Sequence, residues 1–148
     1  LLACCTEMGA LSASVSNEQR QAFRDYGWYV GLAFQIIDDW LGIWGDSAVT
    51  GKGVGSDLLA GKKSLPILYA LQNKGACYDR WMAGPAKPED IEPLTEMLNS
   101  EGAQDYTQKK ADELTSKAWD ALQRATPEKN EAAQKLSDLT DMLLKRRS

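Results

Sequence analysis

Among 148 residues there is no histidine, and there are three cysteines and two phenylalanines. Without histidine the Ser-His-Asp and Cys-His nucleophile systems are excluded, and zinc loses a common ligand. Cys4, Cys5 and Cys77 are odd in number, two are adjacent, and no metal-ligand spacing links them, so they read as reduced core thiols. No apolar run is long enough to cross a bilayer, and the N-terminus lacks the charged-then-apolar build of a signal peptide. The expectation is a cytoplasmic protein whose chemistry runs on carboxylates, lysines and a metal. A net charge of −4 argues against nucleic acid as the main partner, although Lys52, Lys62 and Lys63, and then Lys145, Arg146 and Arg147, make local basic patches.

The length suits a single domain with a real core. Period-two alternation is lacking, and helical spacing is everywhere, which makes the expected fold class all-α. The chain opens directly on LLACCTEMGAL, already at helical spacing and without a cap, as a chain cut inside a helix would. Ser16 is a candidate N-cap, with Gln19 in the capping-box position. From there Phe23, Tyr26, Val30, Phe34, Ile37, Leu41 and Trp44 recur at steps of three and four, predicting one long helix. A glycine-rich segment runs from Gly45 to Lys63, and Ser64 with Pro66 starts a further helix, SLPILYALQ. Residues 84–88 read as a loop. Glu89 to Asn99, Ala103 to Ala125, and Pro127 to Arg146 with Thr126 as cap read as three more helices.

Within the long helix, FQIIDDWLGIWGD sets two adjacent aspartates in an otherwise apolar run. Gln35, Asp38, Asp39 and Gly42 fall on one face, and Asp46 follows one turn later if the helix reaches it. A helix apolar around most of its circumference belongs to a core, so the polar stripe is expected to face an internal cavity. Adjacent carboxylates there repel one another, and a divalent cation relieves them. Magnesium suits such a site because it binds through one or two carboxylates together with substrate phosphates. The plainer alternative is that Asp38 and Asp39 pair with lysines of neighbouring segments.

GVGSDLLAGKKS superficially suggests a phosphate-binding P-loop. Five residues separate Gly55 from Gly61 where that motif needs four, and the segment follows a helix where a strand is required. What remains is a glycine-rich loop carrying Lys52 and Lys62, point charges suited to phosphate oxygens. Carboxylates for magnesium and lysines for phosphate together describe a diphosphate site.

FQIIDD, the following GD, TGKGVGSDL and GKKSLPILYAL, in that order, resemble the second aspartate-rich region of the trans-isoprenyl diphosphate synthases, the all-α enzymes that include farnesyl and geranylgeranyl diphosphate synthases. The likeness is dense from Phe34 to Leu71. It implies the C-terminal half of the isoprenoid synthase helical bundle. It also implies magnesium-assisted ionisation of an allylic diphosphate, attack by isopentenyl diphosphate, and loss of a proton. By the same resemblance Asp38 ligates magnesium and Asp39 stands in the metal's near shell, both with catalytic roles. Gln35 helps hold the allylic end. Lys52, also counted as catalytic, and Lys62, with Lys63 as its alternative, contact the diphosphate, and Asp57 orders the loop.

Two departures from the family pattern stand out. The motif is usually Asp-Asp-x-x-Asp, and its third aspartate is here Gly42, with Asp46 as a possible substitute. The first aspartate-rich motif, the arginines after it and a Lys-Thr pair are absent, so a missing N-terminal half is expected as a separate chain or segment. A homodimer is expected from the resemblance, with Phe23, Tyr26 and Tyr29 open to either that contact or intrachain packing. Trp28, Trp40, Trp44, Trp81 and Trp119 read as core, Trp40 being the best placed for a functional role. The C-terminal Lys145-Arg146-Arg147 reads as a cationic last turn complementing the helix dipole. Two other functions stay open. One is a class I terpene cyclase, whose Asn-x-x-x-Ser-x-x-x-Glu motif does not occur in the sequence. The other is a non-catalytic partner of a synthase subunit.

Overall fold

The computed structural model describes residues 1–45, 53–128 and 130–145. These are helical, with no strand among them, as the periodicity predicts. The order is α1 (Leu2–Ser12), α2 (Asn17–Trp44), α3 (Ser56–Leu59), α4 (Leu65–Asn73), α5 (Ala76–Met82), a 3₁₀ turn (Pro88–Asp90), α6 (Ile91–Ser100), α7 (Ala103–Ala125) and α8 (Glu131–Leu144). No helix among the described residues is long and apolar enough to cross a membrane. The chain divides into two compact units, Leu1–Gln35 with Lys110–Ser148, and Ile36–Lys109.

In the first unit α1 folds back on α2. The Ser16 hydroxyl accepts the Gln19 N–H at 3.2 Å, the cap expected from the sequence. Gly27 lets the two helices touch backbone to backbone, since a Cβ there would lie 2.6 Å from the Leu2 carbonyl oxygen and 2.8 Å from the Ala3 Cα. Next to it the Thr6 hydroxyl donates to the Phe23 carbonyl at 2.7 Å. Tyr26, Val30, Ala118, Ala121 and Leu122 form the core, with Trp119, Leu136 and Leu143 packed on it. Tyr26 is thus a core residue, its hydroxyl 2.7 Å from that of Thr140 on α8. Burial raises its pKa, and the hydrogen bond to Thr140 partly offsets the rise.

The second unit packs Ile43, Leu58, Ile67, Ala70, Cys77, Leu94, Leu98 and Ala103 together. Each fully buried leucine or isoleucine here contributes about 1.5–3 kcal/mol relative to exposure. Trp44 packs on this core and donates its indole N–H to the Asn99 side chain at 2.9 Å. Tyr69 stacks on Tyr106 with ring centroids 4.3 Å apart. Helix α5 begins at Gly75, which has no side chain to cap it. The Glu101 carboxylate does so from outside, accepting the Cys77 N–H at 2.9 Å.

Several sequence expectations need correction. The core-thiol reading holds for Cys77 alone; Cys4 and Cys5 are exposed, and all three are free. Trp28 is 57% exposed and is no core residue. The last helix begins at Glu131 and not at Pro127, because the Asn130 side chain caps it by accepting the Ala133 N–H at 2.9 Å. Two short helices, α3 inside the glycine-rich segment and α5, carry too few residues for a periodic signal.

Candidate functional site

The second unit brings four charged side chains together: Asp38 and Asp39 from the end of α2, Asp57 from α3, and Lys62 from the turn after it. Asp39 is buried at 7% exposure, and its two oxygens are engaged differently. Oδ1 accepts from the Lys62 ammonium at 3.0 Å. Oδ2 accepts the Leu65 backbone N–H, also at 3.0 Å. Leu65 is the first residue of α4, and Ser64 at the N-cap position makes no side-chain cap of its own. The helix that the sequence starts with Ser64 and Pro66 is therefore capped from a distant carboxylate.

Asp57 is equally buried, at 8% exposure, and its Oδ2 lies 3.0 Å from the Lys62 ammonium. The Asp57 carbonyl also accepts the Lys62 N–H at 3.0 Å, so the same residue holds the lysine at both ends. Burial on its own lowers the Lys62 pKa, but its contacts with Asp39 and Asp57 outweigh this and hold it above the ordinary lysine range. The lysine therefore remains a cation between the buried carboxylates. That answers how the apolar run tolerates Asp39: it is paired and hydrogen-bonded, the condition under which a carboxylate can be buried.

Asp38 is different. Its side chain is 36% exposed and stands 3.9 Å from the Lys62 ammonium, a looser contact than the two above. Of the three carboxylates it is the least covered within this unit. Among the described residues no three acidic or thiol side chains converge to hold a cation by themselves. One carboxylate completed by water and phosphate oxygens is a donor set that magnesium takes, and Asp38 is the carboxylate of this group with the most exposed side chain. Lys62, expected at the diphosphate, is committed to this carboxylate network, with 40% of its side chain still exposed. Lys63, its alternative, makes neither of those contacts and is exposed.

Gln35 belongs to the first unit, where it lines an apolar cavity of about 530 Å³ with Leu2, Gly27, Trp28, Gly31 and Phe34. Lys52 and Asp46, and with them Arg146 and Arg147, lie outside the described residues. Trp40 tilts against Trp44 with centroids 5.8 Å apart, and its indole nitrogen is buried. Neither the capping of α4 by Asp39 nor the packing of Asp57 against Gly42 leaves a periodic signal in the sequence.

The polyprenyl synthetase family model matches residues 1–100. A geranylgeranyl diphosphate synthase of Mycobacterium tuberculosis is 37% identical over 127 residues, covering 82% of this chain and 36% of that protein. A geranylfarnesyl diphosphate synthase of Aeropyrum pernix is 33% identical, covering 99% and 46%. Among solved structures, geranylgeranyl pyrophosphate synthetase from Pyrococcus horikoshii superposes with a TM-score of 0.86 at 27% identity, covering 97% of this chain and 44% of that one. The chain spans less than half the length of these relatives. The helical architecture is that of the isoprenoid synthases, and the chain belongs to the polyprenyl synthetase family.

Proposed function

We propose that the protein carrying this chain is a prenyltransferase that condenses isopentenyl diphosphate with an allylic diphosphate, and that this chain supplies its second aspartate-rich motif. The observation that carries the reading is the unequal treatment of the two aspartates, within a chain whose relatives are prenyl diphosphate synthases: Asp39 is buried and fully engaged, while Asp38 is held outward with its carboxylate accessible. A polyprenyl relative, geranylgeranyl pyrophosphate synthase from Corynebacterium glutamicum, was crystallised with isoprenyl diphosphate and magnesium, which favours the same cofactor here.

Magnesium, when bound, supplies Lewis-acid stabilisation of the departing diphosphate. Asp38 is the residue that would hold it. Asp39 and Lys62 keep the end of α2 and the start of α4 in register, so that Asp38 is presented in one geometry. Lys52 and the exposed part of Lys62, with Lys63, would add positive charge for diphosphate oxygens, and Gln35 would orient the allylic end. The apolar lining of the cavity beside Gln35 suits a hydrocarbon chain. The opposite wall, with the first aspartate-rich motif, would come from an N-terminal portion of the length that the relatives have and this chain lacks. A homodimer and a cytoplasmic location complete the proposal.

The test is elongation. The protein at its natural length is mixed with magnesium, isopentenyl diphosphate and an allylic diphosphate, and the products are measured. Elongated product that disappears in Asp38→Ala is the expected result; full activity in that variant removes Asp38 from the metal site. A non-catalytic partner role is the second reading, favoured by Gly42 at the place where the family usually has a third aspartate. Elongation that appears only when a separate synthase subunit is added would select it.

A further inference from the structure

Relatives named for farnesyl, geranylgeranyl, geranylfarnesyl and octaprenyl products match this chain at 31% to 37% identity, so likeness alone leaves product length open. The first unit carries a physical answer. Its cavity of about 530 Å³ lies along α2 and the start of α1, lined by Leu2, Leu32 and Phe34 among other apolar residues, with Gln35 as its polar residue. Gly27 and Gly31 also line it and put no side chain into it.

Both ends of this groove are marked. Along α2 the aspartates follow Gln35, so the diphosphate belongs on that side and the hydrocarbon runs the other way, toward the N-terminus of the helix. It meets Leu32 and then Trp28, which stands two turns before Gln35 and therefore on the same face. Trp28 lines the cavity and is also 57% exposed, which places it at the cavity's edge. One turn further, α1 and α2 are joined by charge: Arg24 Nη1 lies 2.5 Å from Glu7 Oε2, and Arg20 Nε 3.9 Å from Glu7 Oε1. A hydrocarbon laid over these groups would strip their water and offer no hydrogen bond in return.

We infer that Trp28 is the residue that stops chain growth, and that the product has four isoprene units; the inference rests on the proposed function. A rise of about 1.5 Å per residue sets Trp28 about 10 Å from Gln35 along the helix. An isoprene unit, four carbon–carbon bonds in an extended zigzag, spans about 5 Å. About two units therefore fit between Gln35 and Trp28, and about three in all, counting the allylic unit held at Gln35. Each turnover joins C1 of the allylic chain to the terminal alkene carbon of isopentenyl diphosphate. The C1–O bond breaks, diphosphate leaves with the electron pair, and a proton is lost. The chain then has four units, and to react again it would have to move one unit deeper, into the indole of Trp28. It dissociates instead.

The test uses the protein at its natural length with magnesium, isopentenyl diphosphate and an allylic diphosphate of two isoprene units, and reads product length by mass spectrometry. Circular dichroism establishes that each variant is folded. The native protein is expected to stop at four units. Trp28→Ala is expected to lengthen the main product by one unit or more, because the indole no longer closes the groove, with little change in thermal midpoint since the side chain is largely exposed. Leu32→Trp sets the same obstacle one turn nearer Gln35 and is expected to shorten the product by about one unit. An unchanged product length in Trp28→Ala, or a native product longer than four units, overturns the role of Trp28 while the prenyltransferase reading stands. A native protein that elongates nothing refutes that reading and the inference with it.

Discussion

Asp38 and Asp39 are neighbours in sequence with opposite expected responses to the same substitution. Asp39→Ala removes the acceptor that caps α4 at Leu65 and the partner of the Lys62 ammonium. Loss of a cap costs about 1 kcal/mol. The ion contact, discounted because 40% of the Lys62 side chain is exposed to screening solvent, adds about 1 kcal/mol. A total near 2 kcal/mol corresponds to a fall in the thermal midpoint of about 4–8 °C for a chain of this size. Asp39→Asn keeps an acceptor for Leu65 and loses the charge, so about half of that fall is expected. Asp38→Ala removes a side chain that is 36% exposed and 3.9 Å from Lys62, and its stability effect should stay within about 0.5 kcal/mol. Magnesium-supported diphosphate binding should respond in the reverse order, with the larger loss in Asp38→Ala. Thermal unfolding by circular dichroism with diphosphate calorimetry on the same samples makes the comparison. Equal thermal shifts for the two variants, or no shift for Asp39→Ala, would refute the division of roles.

The remaining predictions concern the frame that holds the site. Gly27→Ala drives a methyl group into the backbone of Leu2 and Ala3, and the strain should outweigh the gain in helix propensity, lowering the urea midpoint by about 2 kcal/mol in stability; a stabilised variant would contradict the close crossing of α1 and α2. Glu101→Ala leaves the Cys77 N–H and the start of α5 without their acceptor, at a cost of about 1 kcal/mol, and Glu101→Gln should recover part of it. Burial, helped by the charge of Glu101, pushes the Cys77 thiol up to about 11 from an ordinary 9.0. The unfolded chain therefore releases this proton at lower pH than the folded one. The stability is fully present below pH 9 and is lost as pH rises toward 11, by about 2–3 kcal/mol, and denaturant midpoints of Cys77→Ala should lack that part of the decline.

Much of the architecture was legible because helices leave a local record. The three-and-four spacing from Phe23 to Trp44 and the Ser16 cap locate α2 without any tertiary information. Proline in the first turn locates α4 in the same way. The short helices α3 and α5 escaped, since one or two turns cannot show a period, and the start of α8 was displaced because Thr126-Pro127 and Asn130 are both plausible caps and only packing chooses between them. Cys4 and Cys5 were misplaced for a related reason: helical spacing says which residues share a face, not whether anything covers that face.

The sequence by itself determined the family and the all-α class, because each depends on residue types and their order. It also exposed the problem of two aspartates in an apolar run and of a glycine where a third is usual. Only the tertiary structure decided how these are resolved. A lysine 23 residues after Asp39 neutralises it, and an aspartate from the same loop fills the space above Gly42. Charge compensation and steric exclusion act across space between residues distant in the chain, so no spacing rule along the chain records them.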